Sequence, residues 1–148
     1  MNKFMDEAFI EAEKARRHDE VPIGAVVVRD GKIISRGRNM REKKQNALLH
    51  AEIVAINKAC KKLGSWRLDD CELYVTLEPC PMCAGAILNA RISKVVFGAY
   101  DKESGYVQSN GQLFSGPTLN HKCKFEGGVE AEKCSKILQD FFKSKRRK

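Results

Sequence analysis

Long apolar segments are missing from this sequence. No run of about 18 apolar residues occurs in it, and a helix that spans a membrane needs one. Residues 1–10 also lack the apolar core of a secretory signal peptide, because acidic side chains and a helical pattern occupy them. We therefore expect a cytoplasmic protein with no membrane partner.

Internal repeats and low-complexity linkers are absent as well. The chain has 148 residues, the size of one domain, and a domain of this size buries enough surface to fold without disulfides. We therefore expect a single domain over residues 1–148. Its six cysteines are expected to be thiols or metal ligands, as in most cytoplasmic proteins.

Positive charge is abundant and unevenly distributed. The net charge is +8, and two stretches carry the excess: residues 29–44, with seven basic and two acidic side chains, and a basic tail at 143–148, with five basic side chains. Concentrated basic charge suits a polyanion such as a nucleic acid. A solvated surface and a frayed tail would produce the same pattern, so charge alone leaves both interpretations open.

Apolar periodicity predicts four helices. The first has apolar residues at helical spacing from Met5 to Ala12, the second covers 53–63 and ends at Gly64, the third begins at Pro81, and the fourth covers 134–141. The core-facing side of the second helix is predicted to consist of Ile53, Ile56, Cys60 and Leu63.

Short apolar runs predict strands at 25–28, 33–34, 73–77 and 95–97. Asp30-Gly31, between the first two, is typical of a type I′ hairpin turn. The basic stretch up to Asn46 and the segment 101–120 are predicted to be loops. Strands that alternate with helices predict an α/β fold in which helices cover both faces of a sheet.

Two short motifs contain residue types that bind zinc: His50-Ala51-Glu52 and Pro79-Cys80-Pro81-Met82-Cys83. Cys80 and Cys83 are three residues apart at the start of a predicted helix, so both side chains point toward one place. The positive end of that helix favours their thiolate forms. Together with His50 they give three protein ligands, the number typical of a catalytic Zn²⁺ site.

Glu52 lies two residues beyond the predicted histidine ligand. A carboxylate in that position can accept a proton from an activated water molecule and pass it on. A Cys-x-x-Cys pair alone also occurs in redox sites and in structural zinc sites. A structural site needs a fourth ligand, which Cys71, His121 or Cys123 would supply. Histidine, glutamate and the proline-cysteine pair in this order favour the catalytic site.

These residues resemble those of the cytidine deaminase-like superfamily, and most closely the bacterial tRNA adenosine deaminases, which convert the wobble adenosine to inosine. The resemblance covers nearly the whole chain. It rests on residues 20–25, 50–53, 66–68, 73–86, 90–92, 95–99, 120–121 and 141–142. The resemblance implies a three-layer α/β/α fold with a mixed central sheet of about five strands. It also implies a homodimer whose active sites lie near the dimer interface.

The resemblance assigns further residues to the substrate. Asn39 is expected to contact the flipped nucleoside, while Ile23 and the backbone of Ala51 line the pocket for the base. Asp101 and Asn120 are expected near the flanking nucleotides. Phe142 and the basic tail correspond to positions close to the tRNA anticodon loop.

Two segments depart from that family. Before His50 the chain reads Asn46-Ala47-Leu48-Leu49 where the family usually has Asp-Pro-Thr-Ala, and residues 105–109 are bulkier than usual. Both segments are expected near the pocket rim, at Leu48, Leu49, Tyr106 and Gln108. They favour an alternative, a deaminase of a free nucleobase or nucleoside such as guanine or cytosine. A non-catalytic zinc-stabilised binding subunit is a further alternative, in which Glu52 would have no use.

Overall fold

The computed structural model describes residues 2–116 and 121–146. Its five helices are α1 (Lys3–Arg17), α2 (Arg41–Lys44), α3 (Ala51–Leu63), α4 (Pro81–Asn89) and α5 (Ala131–Arg146), with one 3-10 turn at Leu113–Ser115. Its five strands are β1 (Gly24–Arg29), β2 (Lys32–Arg38), β3 (Cys71–Leu77), β4 (Lys94–Ala99) and β5 (Lys124–Glu126). Within the described residues, no helix is long and apolar enough to cross a membrane.

The strands form one mixed sheet in the order β2-β1-β3-β4-β5. Strands β2, β1 and β3 pair antiparallel, whereas β3, β4 and β5 pair parallel. Helices α1 and α5 pack on one face, and α3 and α4 pack on the other. The predicted three-layer α/β/α fold with a five-stranded mixed sheet is therefore confirmed.

Each face of the sheet has its own apolar core. Val26, Tyr74 and Val96 point toward α1 and α5, where they pack with Met5 and Cys134. The opposite side chains of the same strands pack beneath α3 and α4. Strands β1, β3 and β4 are therefore buried on both faces, which explains why their sequences are apolar runs with little alternation.

Helix α3 packs on the core through Ile56, as its periodicity predicts, and through three alanines that the periodicity does not predict. Ala51, Ala55 and Ala59 are fully buried, whereas the predicted Ile53, Cys60 and Leu63 are only half-buried. Gly37 on β2 is the physical reason, because a Cβ at that position would lie 2.5 Å from the backbone of Ala51 and of Ala55. Small residues on both sides allow the helix axis to lie close to the strand, and this contact fixes the N-terminus of α3.

The turn between β1 and β2 agrees with the prediction, whereas α2 and β5 were not predicted. The hairpin turn is as predicted, since Asp30 and Gly31 have φ of 52° and 75° and join β1 to β2. The basic loop, in contrast, contains α2. The buried carboxylate of Glu20 accepts hydrogen bonds from the backbone N–H groups of Glu42 and Lys43, at the N-terminus of α2. Strand β5 was not predicted from the sequence, because three residues are too few to show a periodicity.

Candidate active site and metal centre

The two predicted zinc motifs lie at the N-termini of neighbouring helices. His50 is the residue immediately before α3, and Cys80 holds the same position before α4. Pro81 occupies the first helical position, where its missing N–H leaves no partner unsatisfied, and Cys83 follows in the same turn. The ligand atoms of His50, Cys80 and Cys83 all lie within 4.8 Å of one another.

The geometry and chemistry of these three side chains fit zinc. Nδ1 of His50 lies 3.6 Å from Sγ of Cys80 and 3.6 Å from Sγ of Cys83. A tetrahedral zinc ion with bonds of about 2.1 Å to nitrogen and 2.3 Å to sulfur separates such atoms by about 3.6 Å. The structure therefore contains a group of three side chains that could hold a metal ion, and zinc favours this donor set.

The three residues considered as a fourth ligand lie elsewhere. Nε2 of His121 is within 2.7 Å of the Ile92 carbonyl oxygen, and Cys123 donates to the carbonyl of Lys124. Cys71 is fully buried in the core under α3 and α4. Among the described residues the ligand group thus has three members, which leaves one tetrahedral position for water or substrate.

The site stabilises one negative charge on its sulfur atoms. Hydrogen bonds from Cys83 and His50 lower the pKa of Cys80 to about 4, so this thiol is ionised at neutral pH. The same contact with Cys80, together with burial, raises the pKa of Cys83. The hydrogen bond between His50 and Cys80 raises the pKa of His50. A thiolate beside a helix N-terminus attracts a cation, and a bound cation would favour ionisation of the second thiol.

Glu52 lies in the first turn of α3, beside the metal ligands, and is only 4% exposed. Burial raises the pKa of its carboxyl group to about 7, and the Cys83 side chain is within hydrogen-bond reach. A carboxyl group with a pKa near neutrality can both accept and return a proton at physiological pH. This property matches the role that the sequence predicts for it.

A cavity of about 710 Å³ opens above these residues. His50, Glu52 and Cys80 form its floor, and its walls include most of the predicted substrate contacts: Ile23, Asn39, Asp101 and Phe142. Ala51 does not line it, because its side chain is fully buried between α3 and the sheet. Asn120, also predicted to contact the substrate, lies outside the described residues.

The comparisons with known proteins agree on the type of enzyme. The family model described as MafB19-like deaminase matches residues 1–146. A tRNA-specific adenosine deaminase of Bacillus subtilis (strain 168) is 48% identical over 145 residues, which cover 98% of this chain and 90% of that protein. The chain belongs to the tRNA-specific adenosine deaminase family. A relative with the same name from Agrobacterium fabrum is 46% identical over 97% of this chain and 94% of its own length.

A solved structure supports the same family at the level of the fold. It comes from a study of A-to-I editing by tRNA:A34 deaminases at the wobble position of transfer RNA. It superposes with a TM-score of 0.89 at 45% identity, covering 92% of this chain and 99% of that one. The central sheet and the flanking helices of this deaminase therefore share the architecture of that structure.

Asn39 of this deaminase is held rigidly at the cavity wall. It is 6% exposed, its Nδ2 donates to the Val21 carbonyl at 3.4 Å, and its Oδ1 accepts from the Arg41 backbone at 3.2 Å. Its own N–H donates to the Ile23 carbonyl at 3.2 Å. These contacts fix the orientation of the amide, so its remaining hydrogen-bonding capacity is directed into the cavity.

The two segments that depart from the family do not line this cavity. Leu48 is exposed and Leu49 is half-buried before the N-terminus of α3. In the second segment the Tyr106 ring packs against Gly111, and Val107 is fully buried in the core. Bulkier residues in the second segment are therefore accommodated by packing, and they leave the cavity walls unchanged.

A groove next to the cavity carries basic side chains. We call it the basic groove; it is about 710 Å³ in volume and is lined by His18, Asp19, Val21, Arg41, Glu42, Lys43, Phe141, Phe142 and Lys145. It shares Val21, Arg41 and Phe142 with the cavity, so the two are continuous. Within the groove Arg41 pairs with Glu42 at 3.4 Å and Lys145 pairs with Asp19. On β2, Arg36 bonds Glu7 of α1 at 2.6 Å.

Glu78 is a site residue that the sequence analysis missed. It is 2% exposed and accepts five hydrogen bonds from the segment 101–109. Burial would raise the pKa of this carboxyl group, but the hydrogen bonds from Ser109 and from the backbone lower it. The available signal was its position, since a charged residue stands between an apolar strand and the proline-cysteine motif.

Proposed function

We propose that this protein deaminates adenosine to inosine at the wobble position of tRNA, with Zn²⁺ as its metal and Glu52 as its proton carrier. The observation that carries the proposal is one juxtaposition. A three-ligand metal site and a buried carboxyl group form the floor of a cavity that opens into a basic groove. The relatives named as tRNA-specific adenosine deaminases support the same substrate.

The reaction replaces the exocyclic amine of the base by oxygen from water, and ammonia leaves. A zinc ion held by His50, Cys80 and Cys83 would supply a Lewis acid that lowers the pKa of a water molecule. Glu52 accepts one proton of that water and delivers it to the ring nitrogen. Once the oxygen is bonded to the ring carbon, Glu52 transfers the remaining O–H proton to the exocyclic amine, so that the C–N bond breaks and ammonia leaves. The Glu52 pKa of about 7 allows each of these transfers with little cost in free energy.

The substrate contacts follow from the cavity walls. Asn39 would bond the extruded nucleoside, and Ile23 would contact the base. Asp101 would lie near a flanking nucleotide. An adenosine in an anticodon loop is already unpaired, so its extrusion into such a cavity costs little. Phe142 lies at the boundary between cavity and groove, where its half-exposed ring would stack on a neighbouring base.

The basic groove favours tRNA over a free base. Its Lys43 would contact a phosphate, as would Arg41 and Lys145 in exchange for their ion pairs with Glu42 and Asp19. Phosphate contacts position a polynucleotide but offer nothing to a neutral purine. The solved structure of a guanine deaminase from Bacillus subtilis is also similar, at 34% identity and a TM-score of 0.66. This similarity is the reason to test free bases as substrates. A non-catalytic binding subunit fits less well, since burial of Glu52 with a raised pKa has no purpose there.

The decisive experiment measures ammonia release from matched substrates. A tRNA anticodon stem-loop with adenosine at the wobble position is compared with the same stem-loop carrying guanosine or cytidine there, and with free adenosine, guanine and cytosine. We expect ammonia from the adenosine stem-loop alone, together with inosine in the digested product. Release from free guanine or cytosine, with an inert stem-loop, would instead establish the alternative.

A homodimer and a cytoplasmic location belong to the same proposal. The family resemblance supports the dimer, and tRNA as substrate supports the cytoplasm. Light scattering of the purified protein should give twice the mass of the 16.7 kDa chain. A mass of one chain at assay concentration, in an active preparation, would contradict the dimer.

A further inference from the structure

The buried side chain of Glu78 connects two parts of the active site. One is the proline-cysteine motif that follows it in the chain, and the other is the segment 101–109, which donates hydrogen bonds to it. Glu78 follows the end of β3 and precedes Pro79-Cys80. Its Oε2 accepts from the backbone N–H of Val107, Gln108 and Ser109 at 3.1, 2.7 and 2.9 Å. Its Oε1 accepts from the backbone N–H of Asp101 at 3.1 Å and from the Ser109 hydroxyl at 2.5 Å.

The segment 101–110, which we call the wall loop, contains no helix or strand. Beyond the turns within the loop, the wall loop bonds to Glu78 and to the Pro79 carbonyl, which accepts from the Tyr106 N–H at 2.9 Å. The Tyr106 carbonyl accepts a longer bond from the Leu113 N–H at 3.4 Å. Gly105 packs so closely that a Cβ there would overlap the Glu78 carboxylate. The buried carboxylate of Glu78 therefore holds the wall loop at two points, at Asp101 and at 107–109.

The wall loop faces the substrate, whereas the start of α4 carries the metal ligands. Residues 101–104 line the cavity, and Cys80, two residues after Glu78, lies on its floor. Glu78 thus joins the wall to the segment that carries the floor, together with the Tyr106–Pro79 backbone bond and the burial of Val107. Cys80 has a support of its own, because it is the residue before α4 and its carbonyl accepts from the Ala84 N–H at 2.8 Å.

We infer that Glu78 is a positioning residue that governs the affinity of the enzyme for its polynucleotide substrate by holding the wall loop in the binding-competent conformation. The inference rests on the proposed function. A protein whose competent conformation is only partly populated binds its substrate more weakly by that fraction, while the bound complex reacts normally. Loss of the Glu78 contacts should therefore raise KM for the stem-loop and leave kcat nearly unchanged.

The substitution Glu78→Gln tests the contact at one atom. The glutamine carbonyl oxygen can take the place of Oε2 and keep the three backbone bonds from 107–109. Its NH₂ group then meets the N–H of Asp101, where two donors face each other, so this end of the wall loop is released. We expect KM for the stem-loop to rise at least tenfold, kcat to change less than threefold, and the zinc content to stay at the wild-type value.

Two further variants keep the result interpretable. Gly105→Ala displaces the wall loop from the other side of the same contact without altering Glu78, and it should give the same rise in KM. It carries the test if Glu78→Gln fails to fold. Glu132→Gln removes an equal charge from an exposed position on α5 and should leave both constants at wild-type values.

Amide hydrogen exchange supplies a readout that does not depend on the substrate. In Glu78→Gln the amide of Asp101 should exchange at least tenfold faster than in the wild type. Unchanged KM in both wall-loop variants, or unchanged exchange at Asp101, would overturn the inference, as would an equal loss of zinc and kcat. A wild-type enzyme that is inert toward the stem-loop contradicts the proposed function, whereas the exchange result still decides the role of Glu78.

Discussion

Nδ1 of His50 lies 3.6 Å from Sγ of Cys80, although 30 residues separate the two in sequence. The distance is a consequence of the layer architecture. Helices α3 and α4 pack side by side on one face of the sheet, and each begins with one of these residues. The close contact of α3 with Gly37 fixes the first helix, and the end of β3 fixes the second.

Removal of a single ligand should abolish metal binding. We expect Cys80→Ser or His50→Ala to lower bound zinc from about one ion per chain to less than about a tenth, because two remaining ligands cannot close a tetrahedral site. Atomic absorption after gel filtration measures the content. Cys60→Ser is the matched control, since Cys60 lies on α3 away from the ligand group. Full zinc content in Cys80→Ser would show that this ligand is wrongly assigned.

Glu52→Ala should separate metal binding from catalysis. Removal of a general acid and base typically costs about 10²–10⁴-fold in rate, so kcat for ammonia release should fall by at least about 10²-fold. Zinc content should stay at the wild-type value, because Glu52 is not one of the three ligands. Glu132→Ala, on the exposed side of α5, serves as control. Activity within threefold of wild type would exclude Glu52 as the proton carrier.

The sequence sufficed for the metal site because its residues are local to two motifs, and the start of a helix is encoded within a few residues. It did not predict the three alanines through which α3 packs on the core. Alanine contributes little to an apolar pattern, and only the glycine on β2 makes Ala51 and Ala55 the closest contacts. Nor did it predict which positive side chains pair with α1 and which line the cavity. Arg36 and Arg41 lie five residues apart, yet one pairs with α1 and the other lines the cavity.

Glu78 escaped prediction for a related reason. Its importance comes from five donors that lie at least 23 residues further along the chain. No periodicity or spacing rule links a strand end to an irregular loop. Only the folded chain brings the two together.

The raised pKa of Glu52 should appear as a pH-dependent loss of stability in the metal-free protein. The pKa is about 7 in the folded protein, against about 4.3 in unfolded chains. Between these values the folded state binds more protons, so the free energy of unfolding falls as pH rises. Glu52→Gln removes this effect.

The comparison is made by urea denaturation of both proteins after chelation of metal. At about pH 8, Glu52→Gln should be more stable than the wild type by roughly 3–4 kcal/mol, and the difference should vanish below about pH 4. Equal stability at both pH values would mean that the Glu52 carboxylate is solvated in the folded protein.

The basic groove should determine how substrate binding responds to salt. Lys43 and Lys145 line it from α2 and α5, and each phosphate contact releases counterions when RNA binds. In Lys43→Ala/Lys145→Ala we expect the slope of log K against log salt concentration to become shallower by about 1–2 for the stem-loop. Binding should weaken to a similar degree for any stem-loop sequence, since phosphate contacts carry no sequence information.

The matched control is Lys61→Ala/Lys62→Ala, which removes the same charge from two exposed positions. These positions lie at the C-terminal end of α3, at the opposite end of the helix from His50 and the metal ligands. If net charge alone attracts the RNA, both double variants will lower the slope equally. If the groove holds the phosphates, only Lys43→Ala/Lys145→Ala will do so. Fluorescence anisotropy of a labelled stem-loop between about 50 and 200 mM salt distinguishes the two. An identical slope in all three proteins would exclude the groove as the path of the RNA backbone.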